Sequence, residues 1–212
     1  MHSTGNCVDF GHTIGIRRHA GVGSDKTTAI FLGGYDPSAY TNDIETVIFS
    51  SKGNAAVWGD LTTARNHSGA MGNSTRCLSH DARAPSEVTV DYITWATKGN
   101  AQDFGDTSVN RGQAGGGADA TRGYLYGGAT GPSELASIDY FTIASTGNAT
   151  DFGDIGSGAQ SNPQGGSSST RGVHGGGYNS SDQKENTISY ITIQSTGDST
   201  DFGDLTVARA DQ

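Results

Sequence analysis

The chain has 212 residues, a net charge of −9 and only four lysines. It therefore lacks the clustered Lys and Arg that phosphate neutralisation or an anionic membrane surface demands, which excludes nucleic acid as an expected partner. No apolar run approaches the roughly 18 residues of a membrane span, and the first residues show no apolar core of a secretory signal. Apolar residues make up 33%, and the 33 glycines bring the total to about half, so a core built from small residues and tight turns is expected.

In chain order, one ten-residue phrase occurs five times. It reads STGNCVDFGH at 3–12, SKGNAAVWGD at 51–60, TKGNAQDFGD at 97–106, STGNATDFGD at 145–154 and STGDSTDFGD at 195–204. Its first glycines are Gly5, Gly53, Gly99, Gly147 and Gly197, so the steps are 48, 46, 48 and 50 residues. A fixed period near fifty residues is the mark of a repeat architecture. Its aromatics are Phe10, Trp58, Phe104, Phe152 and Phe202. An arginine opens the next unit at Arg17, Arg65, Arg111 and Arg209, with Ala159 read into the fourth slot. The units run 17–64, 65–110, 111–158 and 159–209, behind an orphan strand at 8–11.

Within a unit the predicted elements are all strands. The unit at 111–158 shows Thr121-Arg122-Gly123-Tyr124-Leu125-Tyr126, then a Gly127-Gly128 pair, a loop, and Ile138-Asp139-Tyr140-Phe141-Thr142-Ile143. The closing phrase follows. Short β-branched and aromatic runs bounded by Gly, Asn, Ser and Asp read as strands, and no helical spacing persists for two turns. The Ile-Asp-Tyr strand recurs at Val90-Asp91-Tyr92 and Ile188-Ser189-Tyr190, with a looser copy from Ile44 to Phe49. Apolar groups on both of its faces predict a strand covered on both sides. The Gly-Asn pairs of the phrase are expected to form tight hairpin turns with positive φ. Gly33-Gly34, Gly127-Gly128 and Gly176-Gly177 end the preceding strands, and Asp81-Ala82 stands in their place in the second unit.

These residues carry a resemblance. A Gly-Gly pair, a Tyr-bearing strand, a later aromatic and a unit-opening Arg resemble the kelch repeat of β-propellers. The wording STGNATDFGDL, TRG, GG and I-x-Y-x-T-I more closely resembles repeats in virion structural proteins, of tail or fibre type, of marine tailed phages, especially cyanophages. The resemblance covers essentially the whole chain. It implies an all-β propeller of four full repeats plus a partial one, with an open solenoid-like stack as the alternative. It further implies a non-catalytic structural or attachment role in a virion, through other virion or surface proteins, self-association, or a glycan or protein receptor. The alternative is an extracellular or cell-surface, lectin-like binding propeller. The orphan strand is expected to close the sheet of the last unit or to pair with another chain, because an unpaired edge is a template for association.

Chemistry-bearing motifs are few. The Asp-Phe-Gly triplet recurs as part of the phrase and lacks every companion of a kinase site. Asp103/Asp106, Asp151/Asp154 and Asp201/Asp204 offer calcium too few oxygens, so hydrogen bonding to turn amides is expected. His2, His12, His19, His67, His80 and His174 occupy different repeat slots, and no metal or cofactor is expected. Cys7 and Cys77 read as two lone thiols, outside the Tyr, His and Cys setting of propeller copper oxidases. The repeat arginines are expected to bridge one blade to the next. The loops at 34–43, 80–87, 129–136 and 178–186 share one slot and should line one side. Their Tyr, Ser, Asn, Asp and Pro suit polar recognition.

Overall fold

The computed structural model describes residues 7–80 and 88–210. Among them every regular element is a strand. The first unit holds β1 (Gly21–Ser24), β2 (Thr28–Tyr35), β3 (Tyr40–Ile48) and β4 (Ala56–Asp60). The second holds β5 (Ala70–Gly72), β6 (Arg76–His80), β7 (Thr89–Thr94) and β8 (Thr97–Asp106). The third holds β9 (Gly115–Ala118), β10 (Arg122–Tyr126), a two-strand loop hairpin of β11 (Ala129–Thr130) and β12 (Ser133–Glu134), then β13 (Ser137–Thr142) and β14 (Thr150–Asp154). The fourth holds β15 (Gln160–Ser161), β16 (Gln164–Ser167), β17 (Arg171–Gly175), β18 (Tyr178–Asn179), β19 (Thr187–Thr192) and β20 (Thr200–Asp204).

Each unit is one antiparallel four-stranded blade: β1-β2-β3-β4, β5-β6-β7-β8, β9-β10-β13-β14 and β16-β17-β19-β20. Residues flanking or within the four innermost strands line one common cavity, so the blades stand around an axis as a β-propeller. The core is segmented. Each joint between neighbouring blades has its own apolar cluster, such as Val90 and Phe104 of blade 2 with Leu125, Phe141 and Ile143 of blade 3. The Ile-Asp-Tyr strand is therefore buried on both faces, as its composition predicts: Ile138, Asp139 and Phe141 are all covered.

The phrase works as an interlock between blades. The amide of Gly147 donates to the Phe104 carbonyl at 2.7 Å, and that of Ala149 to Asp106 at 2.7 Å. The Asn148 carboxamide oxygen accepts from the Asp106 amide at 3.1 Å. The next joint repeats this with Gly197 on Phe152, Ser199 on Asp154 and Asp198 in place of Asn. Glycine is required by the close approach: a Cβ on Gly105 would lie 2.5 Å from the carbonyl of Gly147. The Gly-Asn pair is thus not the hairpin turn; the turn falls earlier, at Ile143-Ala144 in blade 3.

Two arginine systems tie the blades. In the first, the backbone of the unit-opening residue belongs to one blade and its side chain to the next. Gly34 of blade 1 donates its amide to the Arg65 carbonyl at 2.7 Å. The Arg65 guanidinium bonds the Ser79 carbonyl and the Asp91 carboxylate of blade 2, each at 3.0 Å. Arg111 pairs with Asp139 at 3.1 Å and Arg17 with Glu45. Burial pulls the Arg111 guanidinium below its ordinary value, and Asp139 opposes that. The expected bridging role holds for Arg65 by direct contact with both blades.

The fourth slot is corrected. Gln160, not Ala159, donates its amide to Leu135 and accepts from Gly128, as Arg209 does with Glu185 and Gly177 in the following slot. The connector before blade 4 is one residue longer, which moves the slot. Gln160 stands where the other units have Arg, and Ser189 stands where they have an acid; both are buried. The ion pair has been replaced as a pair.

The second system was not foreseen. Arg76, Arg122 and Arg171 lie over the rings of Tyr92, Tyr140 and Tyr190 at 4.6, 4.4 and 4.5 Å. The first two also reach the next blade, donating to the carbonyls of Ile143 and Ile193. The recurring T-R-G triplet and the Tyr of I-x-Y were the available signal.

Two further expectations need correction. The five phrase aromatics are not equivalently buried: Trp58, Phe104 and Phe152 are 6%, 2% and 2% exposed, whereas Phe10 and Phe202 are 37% and 59% exposed. Phe202 lies at the end of the array, where no following blade stands among the described residues, and Phe10 lies against blade 1 without inner strands of its own unit among them. The segment at 8–11 forms no regular strand and does not join the last blade. It lies along blade 1 through Gly53 and Ala55, whose amides donate to the carbonyls of Phe10 and His12 at 2.9 and 2.8 Å. Gly5 and the Asp81-Ala82 pair fall outside the described residues.

Candidate functional site

The four connectors meet at the axis. His19, His67, Gln113 and Asn162 each adopt φ between 51° and 59°, in the left-handed region that non-glycine residues seldom enter. The reason is a shared ladder. The His67 amide donates to the His19 carbonyl at 2.8 Å, Gln113 to His67 at 3.3 Å, and Asn162 to Gln113 at 2.8 Å. One backbone bond per joint is gained by holding one residue per connector in a costly conformation, of order 1–3 kcal/mol each. Their side chains rim an axial cavity of about 560 Å³. The His19 and His67 rings stack there, 3.8 Å between centroids.

Beside this mouth lies a groove of about 680 Å³ between the loops of blades 3 and 4. Its walls carry Pro132, Glu134, Ser181 and Asp182, and it shares Gln113 and Asn162 with the axial cavity. The loop of blade 3 is shaped by β11 pairing β12, and it is tied to the next connector by Leu135 pairing with Gln160. The loop of blade 4 is folded on Asn179, whose side-chain oxygen accepts from the amides of Ser181 and Gln183 at 2.9 and 3.1 Å. Asp182 sits in this turn with φ 56°. Hydroxyls, carboxamides and two carboxylates on hydrogen-bonded turns offer a polar ligand many hydrogen bonds.

The predicted loops at 129–136 and 178–186 are thus brought together, while 81–87 fall outside the described residues. Tyr35 and Tyr40 of the first loop meet edge to face at 5.4 Å, away from the groove. Sequence reasoning missed the connector residues Gln113 and Asn162; their only signal is a position two residues after the unit-opening slot.

The remaining candidates lie apart from the groove. Asp103 and Asp201 accept from the amides of Gly105 and Gly203 two residues on, which is the expected turn role. Among the described residues, no three His, Cys, Asp or Glu side chains converge as metal ligands. Cys7 is exposed and Cys77 buried, both as free thiols; burial pushes the Cys77 thiol up to about 12. His174 is buried at the joint of blades 3 and 4, stacked on Tyr126 at 4.5 Å, with Nε2 3.0 Å from the Tyr124 hydroxyl. Burial lowers its pKa to about 4.

No protein-family model matches the chain, and no curated protein matches it.

Proposed function

We propose that the chain is a non-catalytic recognition and docking module, a virion structural or attachment protein whose propeller displays its loop face to a glycan or protein receptor. The observation that carries the reading is the polar groove between the blade 3 and blade 4 loops, continuous with the axial mouth. Its groups suit hydrogen bonding: Glu134 and Asp182 stand among hydroxyls and carboxamides. Such loops recognise polar ligands with bridging water. The resemblance of the repeat wording to phage tail and fibre proteins supports the virion, and the acidic surface supports protein or glycan partners over nucleic acid.

Two measurements test this. Antibody against the chain should label purified particles rather than host membranes; labelling of exported host material alone points to a cell-surface lectin instead. Binding to host-surface glycans should fall at least tenfold in Glu134→Lys. Equal binding by the variant removes the groove as the site.

A further inference from the structure

The joints inside the chain draw on one set of contacts, with Thr28 in the blade-arginine slot of blade 1 and Gln160 in the unit-opening slot before blade 4, and the face beyond blade 4 presents the first half of each contact. The phrase ring is the first. Phe104 and Phe152 are covered by the following blade at 2% exposure, while Phe202 is 59% exposed. The phrase glycine is the second. A Cβ on Gly105 or Gly153 would strike the next phrase at 2.5 Å, whereas nothing lies within 4 Å of one on Gly203. The blade arginine is the third. Arg76 and Arg122 reach carbonyls of the next blade, while Arg171 is exposed and, among the described residues, lies over Tyr190 alone.

The unit-opening arginine is the fourth and most specific. The Arg209 backbone is seated on blade 4, accepting from Gly177 and donating to Glu185, as Arg65 is seated on blade 1. Arg65 sends its guanidinium into a fully buried pair with Asp91. Arg209 is exposed, and among the described residues its side chain bonds the Val207 carbonyl alone. Around it lies an apolar hollow of about 330 Å³ with Val173, Ile188 and Leu205 in its wall. At the opposite end, Phe10-Gly11-His12 lies on Gly53-Asn54-Ala55 in the manner of an outer strand received from a preceding blade. At one end the chain holds a residue seated as the first of a further unit, at the other a segment laid down as an outer strand would be, and the inner strands that would go with them are not among the described residues.

We propose that the face beyond blade 4 is a docking site for a partner segment of this same repeat type: a three-stranded antiparallel sheet that brings an unpaired carboxylate for Arg209. The internal joints specify this occupant. It covers Phe202 with aliphatic and aromatic side chains, as Phe141 and Ile143 cover Phe104. It offers a carbonyl to Arg171 and an acid at the third position of its third strand, where Asp91 and Asp139 stand. A second copy of the chain fits less well. Its blade 1 already pairs Glu45 with its own Arg17 and already carries its own segment on Gly53. Neither Arg209 nor the outer strand of blade 4 would find an empty receiver there.

The test extends the full chain so that Arg209 is followed by a second copy of residues 112–143, which contain the inner strands of blade 3 and Asp139. Thermal unfolding should shift upward by about 5–10 °C relative to the parent, and binding of a hydrophobic dye should fall severalfold. Asp139→Ala in the appended copy should remove about half of that shift. Arg209→Ala should leave the parent within about 1 °C and lower the extended protein by several degrees. An extension that changes neither melting nor dye binding, or that prevents cooperative unfolding, overturns the proposal. So does a parent chain that runs as a discrete dimer by light scattering and is made monomeric by Phe202→Asp, because the face then belongs to a second copy.

Discussion

Between blades 2 and 3 the connector sends Arg111 into a buried pair with Asp139, and Leu125 fills the joint beside Phe104. Between blades 3 and 4 the corresponding residues are Gln160, Ser189 and His174. The backbone contacts are the same in both: the phrase interlock, the axial ladder and an arginine reaching across. The joint is therefore held by main chain and glycine, and its buried polar pair can vary provided both partners change together. Ser199, in a slot that is Ala in the preceding phrase, completes the neutral version. Its hydroxyl takes the Gly156 amide at 3.0 Å and the Tyr126 hydroxyl at 3.1 Å, where Asp139 takes the Ser108 amide in the charged joint.

The largest break in this comparison comes from removing one partner of the charged joint. Asp139→Ala leaves the Arg111 guanidinium buried without its acid and should destabilise the protein by about 3–5 kcal/mol, read from urea unfolding. Arg111→Gln combined with Asp139→Ser, the pair used before blade 4, should recover at least half of that loss. An additive double variant would show that the two residues do not act as a unit.

The second break is acid, and it acts on the neutral joint. His174 has a folded pKa of about 4, below the ordinary value of 6.5, because burial disfavours its charged form. The unfolded chain then binds the extra proton between those values. His174's contribution is full above about pH 6.5 and is lost as the pH falls towards 4, by roughly 3 kcal/mol in all. Tyr124 and Tyr126, pushed up by burial, stay neutral throughout. His174→Leu, which copies the other joint, should flatten that dependence in urea midpoints measured from pH 7 to pH 4.

Glycine provides the third. Gly153→Ala should cost about 2–3 kcal/mol, because the Cβ meets the Gly197 backbone at a positive φ, while Gly203→Ala carries only the conformational part, about 1 kcal/mol. Equal losses at the two positions would mean that the close approach adds nothing. The smallest effect sharpens the comparison. Arg122→Ala should cost about 1 kcal/mol through its carbonyl bond and its stacking on Tyr140, and Arg171→Ala about half as much, since it has the ring alone.

The blades themselves were legible because a strand announces itself locally, through β-branched and aromatic runs between turn residues. The phrase announced the period, and the two-sided apolar character of the Ile-Asp-Tyr strand announced a layer on either side. What escaped depends on residues one unit apart. Gly105 looks like a turn glycine until Gly147 is placed against it. Arg122 looks like a surface residue until the Ile193 carbonyl appears. The fourth slot was misread by one position because an alignment by spacing cannot see the longer connector that hydrogen bonding to Leu135 reveals. For the candidate site, the loops were legible as a shared slot. The axial residues were not, because positive φ at His19, His67, Gln113 and Asn162 leaves no trace in residue type.

The ladder at the axis and the phrase interlock on the outer strands sit at different radii of the same joint. A force that tries to splay two blades works against the outer tie through a long lever arm and against the inner one through a short arm. Two ties so separated turn each joint from a hinge into a brace. Torque at the rim is carried into the neighbouring blade instead of opening a seam. A load applied at the loop face is thereby spread along the array one joint at a time, and the array yields first at whichever joint has lost one of its two ties.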